Sequence, residues 1–560
     1  MVAAGGTAVS RSAERFGRFP EAYRRHWRDA GMWVDETLHG LFDRTAAERP
    51  DAVAVVTKDE RITFAELRER SLALGAGLLG AGIGPADVVA VQLPNWPEFC
   101  ELQIGLSRAG AVIQPIHLVF REREVRSLLH FCESAAVVVP ESFGGFDYAE
   151  AVRGLRDGLP DLRLVVVARG EARGDGELTL EDLKAEGRKH LDRLDAVVVD
   201  PDDAFYMNFT SGTEGRPKAF VHTHNSLVSA FRFLGDMLKT MAPDTVNLAN
   251  SPMTHSFGHF TTYQTVAAGV PMVLVDKYRP LDVLELIERE RVTTVSGTPA
   301  HLAGILHHPE FGRFDTSSVK SVAVGGARSS PELIEELERV WGIRTANAYG
   351  LGENVTHTRT MPWDPPEKVR DTVGKPLPGT ELRIVSPDDR AREMPVGEVG
   401  EIAFRGPTLC LGYFKQPELT VATRDDDGWF YTGDLGFVDG DGYLHFAGRR
   451  TEVINRGGTK IFPKEVEDLL ATHPDVQDVA VVGMPDDRLG ERVCAYVVPR
   501  PGVTLDLPTL AAHLEAQQVS RNKVPEELVV LDEMPMTPTG KVRKVALQED
   551  AAARVREEGA

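Results

Sequence analysis

The sequence predicts an α/β fold: a large N-terminal domain of layered sheets and helices, then a small α+β C-terminal domain. Three observations carry this. The first third of the chain alternates helical with strand-like patterns. A strand–glycine–helix unit of the same kind returns after residue 318. Near residue 448 the pattern gives way to short mixed elements.

Each element follows from its local pattern. AELRERSLALGAGLLGAG (65–82) has apolar residues at helical spacing and ends in glycine. DVVAVQL (87–93) then reads as a buried strand, and EFCELQIGLSRAGAVIQPIH (98–117) repeats helix, glycine, strand. Alternation of this sort builds a largely parallel sheet. In VKSVAVGGARSSPELIEELERVWG, Val319 to Val324 form a strand and two glycines turn the chain. Ser330 and Pro331 then open a helix as N-cap and first-turn residues. Further on, GYLHFAGRRTEVINRGGTKIFPKEVEDLL reads as strand, turn, glycine loop and helix. VQDVAVVGM and RVCAYVVPR are strands, and PTLAAHLEAQQ is a helix. That is a separate domain of roughly a hundred residues. The expected division is 1–448 and 449–560, with the charged GRRTE as hinge.

Composition narrows the function. The chain has 560 residues, 42% of them hydrophobic and 26% charged, with a formal net charge of −21. Such a surface repels nucleic acid and anionic membranes, so an anionic substrate needs a site that makes its own positive field. Cys100, Cys132, Cys410 and Cys494 are far apart and form no CxxC pair, which fits neither a zinc site nor a disulfide framework and suits a reducing compartment. The N-terminal stretch has no apolar core of signal-peptide length, and no apolar run approaches the roughly 20 residues of a membrane span. A cytoplasmic enzyme, monomeric or homodimeric, is expected.

TSGTEGRPK (210–218) follows the strand-like AFYMNF. Glycines let backbone approach an anion, while Thr210, Ser211 and Thr213 add donors and Lys218 adds charge. The spacing is not the Walker pattern. Taken alone, a polar surface loop and a phosphate loop fit it about equally.

Four companions decide between them: NAYGLGENV (347–355), GWFYTGD (428–434), GRRTEVINRGG (448–458) and PTGKVRK (538–544). In this order, with TSGTEGRPK, they resemble the signature motifs of the adenylate-forming superfamily. That superfamily contains acyl- and aryl-CoA synthetases, luciferases and peptide-synthetase adenylation domains. The resemblance runs from about Asp35 to Lys544. It implies a two-step reaction. A carboxylate attacks the α-phosphate of ATP, giving an acyl-adenylate and pyrophosphate. A thiol then displaces AMP.

The resemblance also implies roles by position. Thr210, Ser211, Gly212, Thr213 and Lys218 would cradle the leaving phosphates. Glu353 would hold Mg²⁺, a hard cation that takes carboxylate oxygen. Tyr349 would lie against adenine, Asp434 would accept from the ribose hydroxyls, and Arg449 would reach ribose or phosphate. Lys541 would be the catalytic lysine on a mobile small domain. That domain closes for adenylation, then rotates to bring Gly457 and Gly458 to the thiol channel. Thr451 stands at the hinge where many relatives have lysine or aspartate. Glu214 replaces a threonine, Gly352 a threonine or alanine, and Ala219 a glycine.

SPMTHSFGHF (251–260) matches the segment that bears a gate beside the acyl pocket, with His255 as the gate. Ser256 stands where amino-acid-activating relatives have Asp and dihydroxybenzoate- or salicylate-activating relatives often have Asn, which argues against those acids. Phe257, Phe260 and Tyr349 suit the walls of a planar ring. Thr298 and Gly325 are drawn to the same pocket, Gly325 also beside the nucleotide. FPEAYRRHWRDAGMWVDETL (19–38) looks like the N-terminal arm of stand-alone aryl-acid-activating enzymes. The expected substrate is therefore an aryl or cyclic acid. The acceptor is CoA or the phosphopantetheine of a separate carrier protein, since no carrier domain follows residue 560. Two alternatives use the same scaffold: ATP-dependent nitrite activation with diazotisation of an aromatic amine, and a non-catalytic nucleotide-binding homologue. The retained Lys541, Glu353 and Asp434 speak against the second.

Overall fold

The computed structural model describes residues 10–210, 218–241, 244–326, 331–537 and 541–558. Chain contacts divide it into two units. The first holds residues up to Asp364, Pro376–Glu381 and Arg405–Gly428; the second holds Pro365–Lys375, Leu382–Phe404 and Trp429 onward.

The alternation in the first third folds as helix and parallel strand. Helix α1 (Phe64–Gly80) starts from a Thr63–Glu66 capping box. Its glycines serve close packing: a Cβ at Gly77 would lie 2.1 Å from the carbonyl oxygen of Leu183. Strand β1 (Val88–Val91), helix α2 (Pro97–Ala109) and strands β2 (Val112–Pro115), β3 (Ser134–Pro140) and β4 (Leu164–Ala168) follow. All four strands are buried along their whole length, as apolar runs in a parallel sheet covered on both faces should be. Strand β5 (Ala204–Thr210) joins β2 in parallel and turns back antiparallel into β6 (Lys218–Thr223). Within this eight-stranded sheet these strands run in the order β6-β5-β2-β1-β3-β4, with Gly412–Tyr413 beyond β6 and Glu177–Thr179 beyond β4.

A second sheet of the same unit is built from β7 (Asn247–Ala249), β8 (Met272–Leu274), β9 (Thr294–Gly297), β10 (Ser321–Val324) and β11 (Thr345–Tyr349). These run parallel in the order β11-β10-β9-β7-β8. Helices α3 (Ser256–Ala268), α4 (Pro299–Leu306) and α5 (Pro331–Trp341) alternate with them. The expected β10–glycine–α5 unit is present; its N-cap Ser330 lies outside the described residues.

In the second unit, β12 (Phe430–Val438) pairs antiparallel with β13 (Leu444–Arg449). Beyond a 3₁₀ turn at Arg450–Glu452 come the hairpin β14 (Ile454–Arg456) and β15 (Thr459–Ile461), then helix α6 (Pro463–Ala471). The long antiparallel pair β16 (Val476–Asp486) and β17 (Gly490–Pro499), helix α7 (Leu507–Ala516), strand β18 (Glu527–Val530) and helix α8 (Lys544–Glu558) complete it. Each element read from the sequence beyond residue 448 is there. Among the described residues no helix is long and apolar enough to cross a membrane.

Candidate active site

Ligands of open α/β sheets bind outside the carboxyl ends of the strands, and the residues expected to matter stand there in a row. The segment after β7 carries His255, Ser256 and Phe257; Thr298 follows β9, Gly325 follows β10, and Glu353 follows β11, whose last residue is Tyr349. From the other sheet, His117 follows β2 and Thr210 ends β5.

Local structure fixes the His255 end of the row. His255 caps α3, its Nδ1 accepting from Phe257 N–H at 3.2 Å. Its ring stacks on His117 at 5.8 Å, and His117 in turn meets Thr254 Oγ1 at 3.3 Å. Burial lowers the His117 pKa to about 4, so the ring is neutral. The Phe257 ring lies over Gly325, where an added Cβ would be 3.0 Å from its Cε2. Gly326 turns with φ +79° beside the Thr298 methyl. Ser256 Oγ lies 3.1 Å from the hydroxyl of the fully buried Tyr206.

Glu353 sits in a 3₁₀ turn (Gly352–Asn354) and is buried. Tyr413 O–H donates to its Oε1 at 2.9 Å, and Cys410 N–H donates to its carbonyl at 2.7 Å. Burial and the neighbouring carboxylate raise the Tyr413 pKa, keeping the phenol protonated as a donor. His222 Nε2 lies 2.8 Å from the Gly352 carbonyl, which can only accept, so that nitrogen carries the proton. The segment behind Glu353 is held by the N-terminal arm. Tyr23 O–H donates to Gly406 O at 2.5 Å, and Trp33 Nε1–H to Pro407 O at 2.8 Å. Tyr349 stacks on His357 at 5.6 Å, leaving it half-buried.

The pair Thr210↔Lys218 ends the β5–β6 ladder. Ser211, Gly212, Thr213 and Glu214 lie outside the described residues.

In the second unit Asp434 on β12 stands opposite Arg449 on β13, with Arg449 Nε 3.4 Å from Asp434 Oδ1. Asp434 is buried and its N–H donates to Thr432 Oγ1 at 3.0 Å. Glu401, fully buried, accepts from Gly433 N–H at 3.2 Å and meets Arg390 at 3.2 Å and Arg450 at 3.7 Å. It braces both the TGD turn and the residue next to Arg449. Lys541 joins this group: its N–H donates to Thr537 Oγ1 at 3.0 Å, while Thr537 N–H donates to Lys541 O at 2.6 Å. Surrounding protein, then Arg449, hold its ammonium below the usual lysine range, with Asp434 pulling the other way. The residue keeps an exposed face, so solvent screens the shift. Gly457 (φ +57°) and Gly458 (φ +87°) form the two-residue turn of β14–β15, both with the positive φ of a type I′ hairpin.

The sequence reading missed Tyr206, Asn208, His117, Phe220, Tyr413 and Glu401. The signal for the first two is alternation: in AFYMNFT, Tyr206 and Asn208 fall on one face of a strand. The others act through long-range contacts that no local pattern announces.

Comparisons with known proteins agree with this arrangement. The chain matches the AMP-binding enzyme family over residues 42–414 and the AMP-binding enzyme C-terminal domain over residues 465–541. It is 34% identical over 541 residues to the 2,3-dihydroxybenzoate-AMP ligase of Bacillus subtilis (strain 168), covering 95% of this chain and 97% of that one. It is 33% identical over 541 residues to the medium-chain fatty-acid–CoA ligase of Escherichia coli (strain K12), covering 96% and 94%. Among solved structures, the anthranilate CoA ligase AuaEII in complex with anthranoyl-AMP superposes with a TM-score of 0.84 at 25% identity, covering 92% of this chain and 98% of that one. With a family match over most of its length, and its expected site residues aligned along the carboxyl ends of one parallel sheet, the chain belongs to the AMP-binding enzyme family.

Proposed function

We propose that the protein activates an aryl or cyclic carboxylic acid with ATP and passes the acyl group to a thiol, that of CoA or of a carrier protein's phosphopantetheine. The observation that carries this is the row of strand ends. His255, Ser256 and Phe257 after β7, Gly325 after β10 and Glu353 after β11 stand in sequence along one sheet edge. This arrangement supports reading the first group as the acid pocket and Glu353 as the carboxylate beside the phosphates.

The chemistry follows from charge. An acid carboxylate oxygen attacks the α-phosphorus, and the bond to the bridging oxygen breaks. Pyrophosphate leaves with the electron pair. Two anions must approach, so the site must neutralise charge and align the reactants. Lys541 supplies a compact cation to the carboxylate and the α-phosphate oxygen. Lys218 and the loop before it hold the leaving phosphates. Tyr349, backed by His357, offers a flat face to adenine, and Asp434, paired with Arg449, accepts from the ribose hydroxyls. Glu353, a buried carboxylate, would hold magnesium, a hard cation that takes carboxylate oxygen. When bound there, the ion neutralises charge on the phosphates. In the second step the thiol sulfur attacks the acyl carbon and AMP leaves. Residues 449–560 act as a lid that swings at Arg449–Thr451, withdrawing Lys541 and presenting the Gly457–Gly458 turn to the thiol.

Acid-dependent ATP–pyrophosphate exchange over benzoic, cinnamic, alicyclic and fatty acids tests this reading, with Lys541→Ala as control. Strong exchange with a ring acid, lost in the variant, is expected. Silence across the panel overturns it.

A further inference from the structure

Tyr206 and Asn208 lie two apart on β5, so their side chains share a face. Asn208 Oδ1 accepts from Phe209 N–H at 2.8 Å, which orients the amide. Its Nδ2 therefore faces the Tyr206 hydroxyl at 2.6 Å and the Thr254 carbonyl at 3.5 Å. An amide nitrogen only donates, so the Tyr206 oxygen accepts and its own proton must go elsewhere. Tyr206 is fully buried, where an unspent hydroxyl proton is costly. Ser256 Oγ, 3.1 Å away, takes it.

The chain of donors thus runs one way: Asn208 to Tyr206 to Ser256. Asn208 Nδ2 also faces Ser256 Oγ at 3.5 Å, and it too is a donor. Ser256 is left with its own proton, and among the described residues no acceptor for it lies within hydrogen-bond distance. The residue is half-buried, flanked by His255 and Phe257 at the strand-end row. We infer that Ser256 is a hydrogen-bond donor pointing into the acid pocket, and that the acid activated here carries a hydrogen-bond acceptor to meet it. An ether, a carbonyl or a pyridine-type nitrogen qualifies; an ammonium does not. Asn208 and Tyr206 are specificity determinants because they set the direction of the chain. This rests on the ligase reading above.

Pyrophosphate exchange with matched acids tests it. The pairs are each pyridinecarboxylate against benzoate, and each methoxybenzoate against the ethylbenzoate of the same shape, at every ring position. At one position the acceptor-bearing acid is expected to show kcat/KM about fivefold to tenfold higher than its isostere, the worth of one neutral hydrogen bond. Ser256→Ala should bring that ratio to about one. Asn208→Asp places an acceptor at the head of the chain and reverses it, so Ser256 then accepts. That variant should favour aminobenzoates over methylbenzoates. Because each readout is a ratio within one enzyme, general damage to folding cancels, and if Asn208→Asp does not fold, Ser256→Ala decides. Equal rates within every pair, or a preference that survives Ser256→Ala, overturn the inference and leave the ligase reading standing. Silence with every acid overturns both.

Discussion

The ring of Phe220 fills the space that a side chain at position 352 would need: a Cβ built on Gly352 would lie 2.5 Å from both Cε1 and Cζ of Phe220. Phe220 is fully buried and packed against Tyr206 and His222, so it cannot swing aside. The glycine that departs from the superfamily pattern is thus matched by a large residue on β6. Gly352→Ala should destabilise the protein by about 1–3 kcal/mol through overpacking and shift the Glu353 turn, lowering adenylation. Adding Phe220→Val should recover most of both losses, as strong coupling between touching residues requires. Melting curves and exchange rates on the four proteins of the cycle check this; additive losses would refute it.

Lys541→Ala should lower the adenylation rate about a hundredfold to a thousandfold, the scale for losing one preorganised charge at a transition state. Nucleotide binding, measured by calorimetry, should change far less. Lys541→Arg should recover little, because a planar fork does not replace a point charge.

The depressed pKa of Lys541 has a definite sign in the pH profile. The lysine works only when charged, and a group with lowered pKa loses its proton at lower pH. The alkaline limb of kcat/KM, which reports the free enzyme, should therefore fall below the ordinary lysine value of 10.5. Bound ATP adds negative charge beside it and favours the ammonium. The limb of kcat should lie at higher pH than that of kcat/KM. Coincident limbs at or above the ordinary lysine value would refute this.

Tyr413→Phe removes one hydrogen bond to a buried carboxylate, worth about 1.5–3 kcal/mol. Glu353 then loses its orientation. The expected result is a higher magnesium requirement for exchange, with little change in the KM for the acid. Glu353→Gln should raise that requirement further.

Trp33→Phe keeps the aromatic cluster of the arm but breaks its bond to Pro407 O. Because the 406–413 segment carries both Cys410 and Tyr413, the arm should act on Glu353 from a distance. Exchange is expected to fall several-fold with the magnesium requirement raised in the same direction as in Tyr413→Phe, and a change in melting temperature alone would limit the arm to a scaffold role.

Legibility differed by kind of residue. Asp434, Glu353 and Lys541 were drawn from the sequence by the resemblance of the short motifs that carry them, each a local frame. Strands β1 to β4 were readable as apolar runs, and α1 by its period and cap. What local patterns could not supply was pairing across the chain. Phe220 meets Gly352, Tyr413 meets Glu353, and Tyr206 meets Ser256 only because two sheets present their ends together. Asp434 and Arg449 are the intermediate case: their opposition follows from hairpin register together with the register shift between Leu435 and Gly436, which no local pattern announces.

The row of strand ends is also a ruler. β7, β9, β10 and β11 are successive neighbours, and each step is fixed by backbone hydrogen bonds at about 4.8 Å. The acid pocket and the Glu353 turn are therefore three rungs apart, about 14 Å by that spacing. Side-chain changes at the first rung alter which acid fits without altering the gauge. New acids should be reachable by substitution at His117, Ser256 or Phe257 alone, while an insertion inside any of these strands would misalign every acid equally.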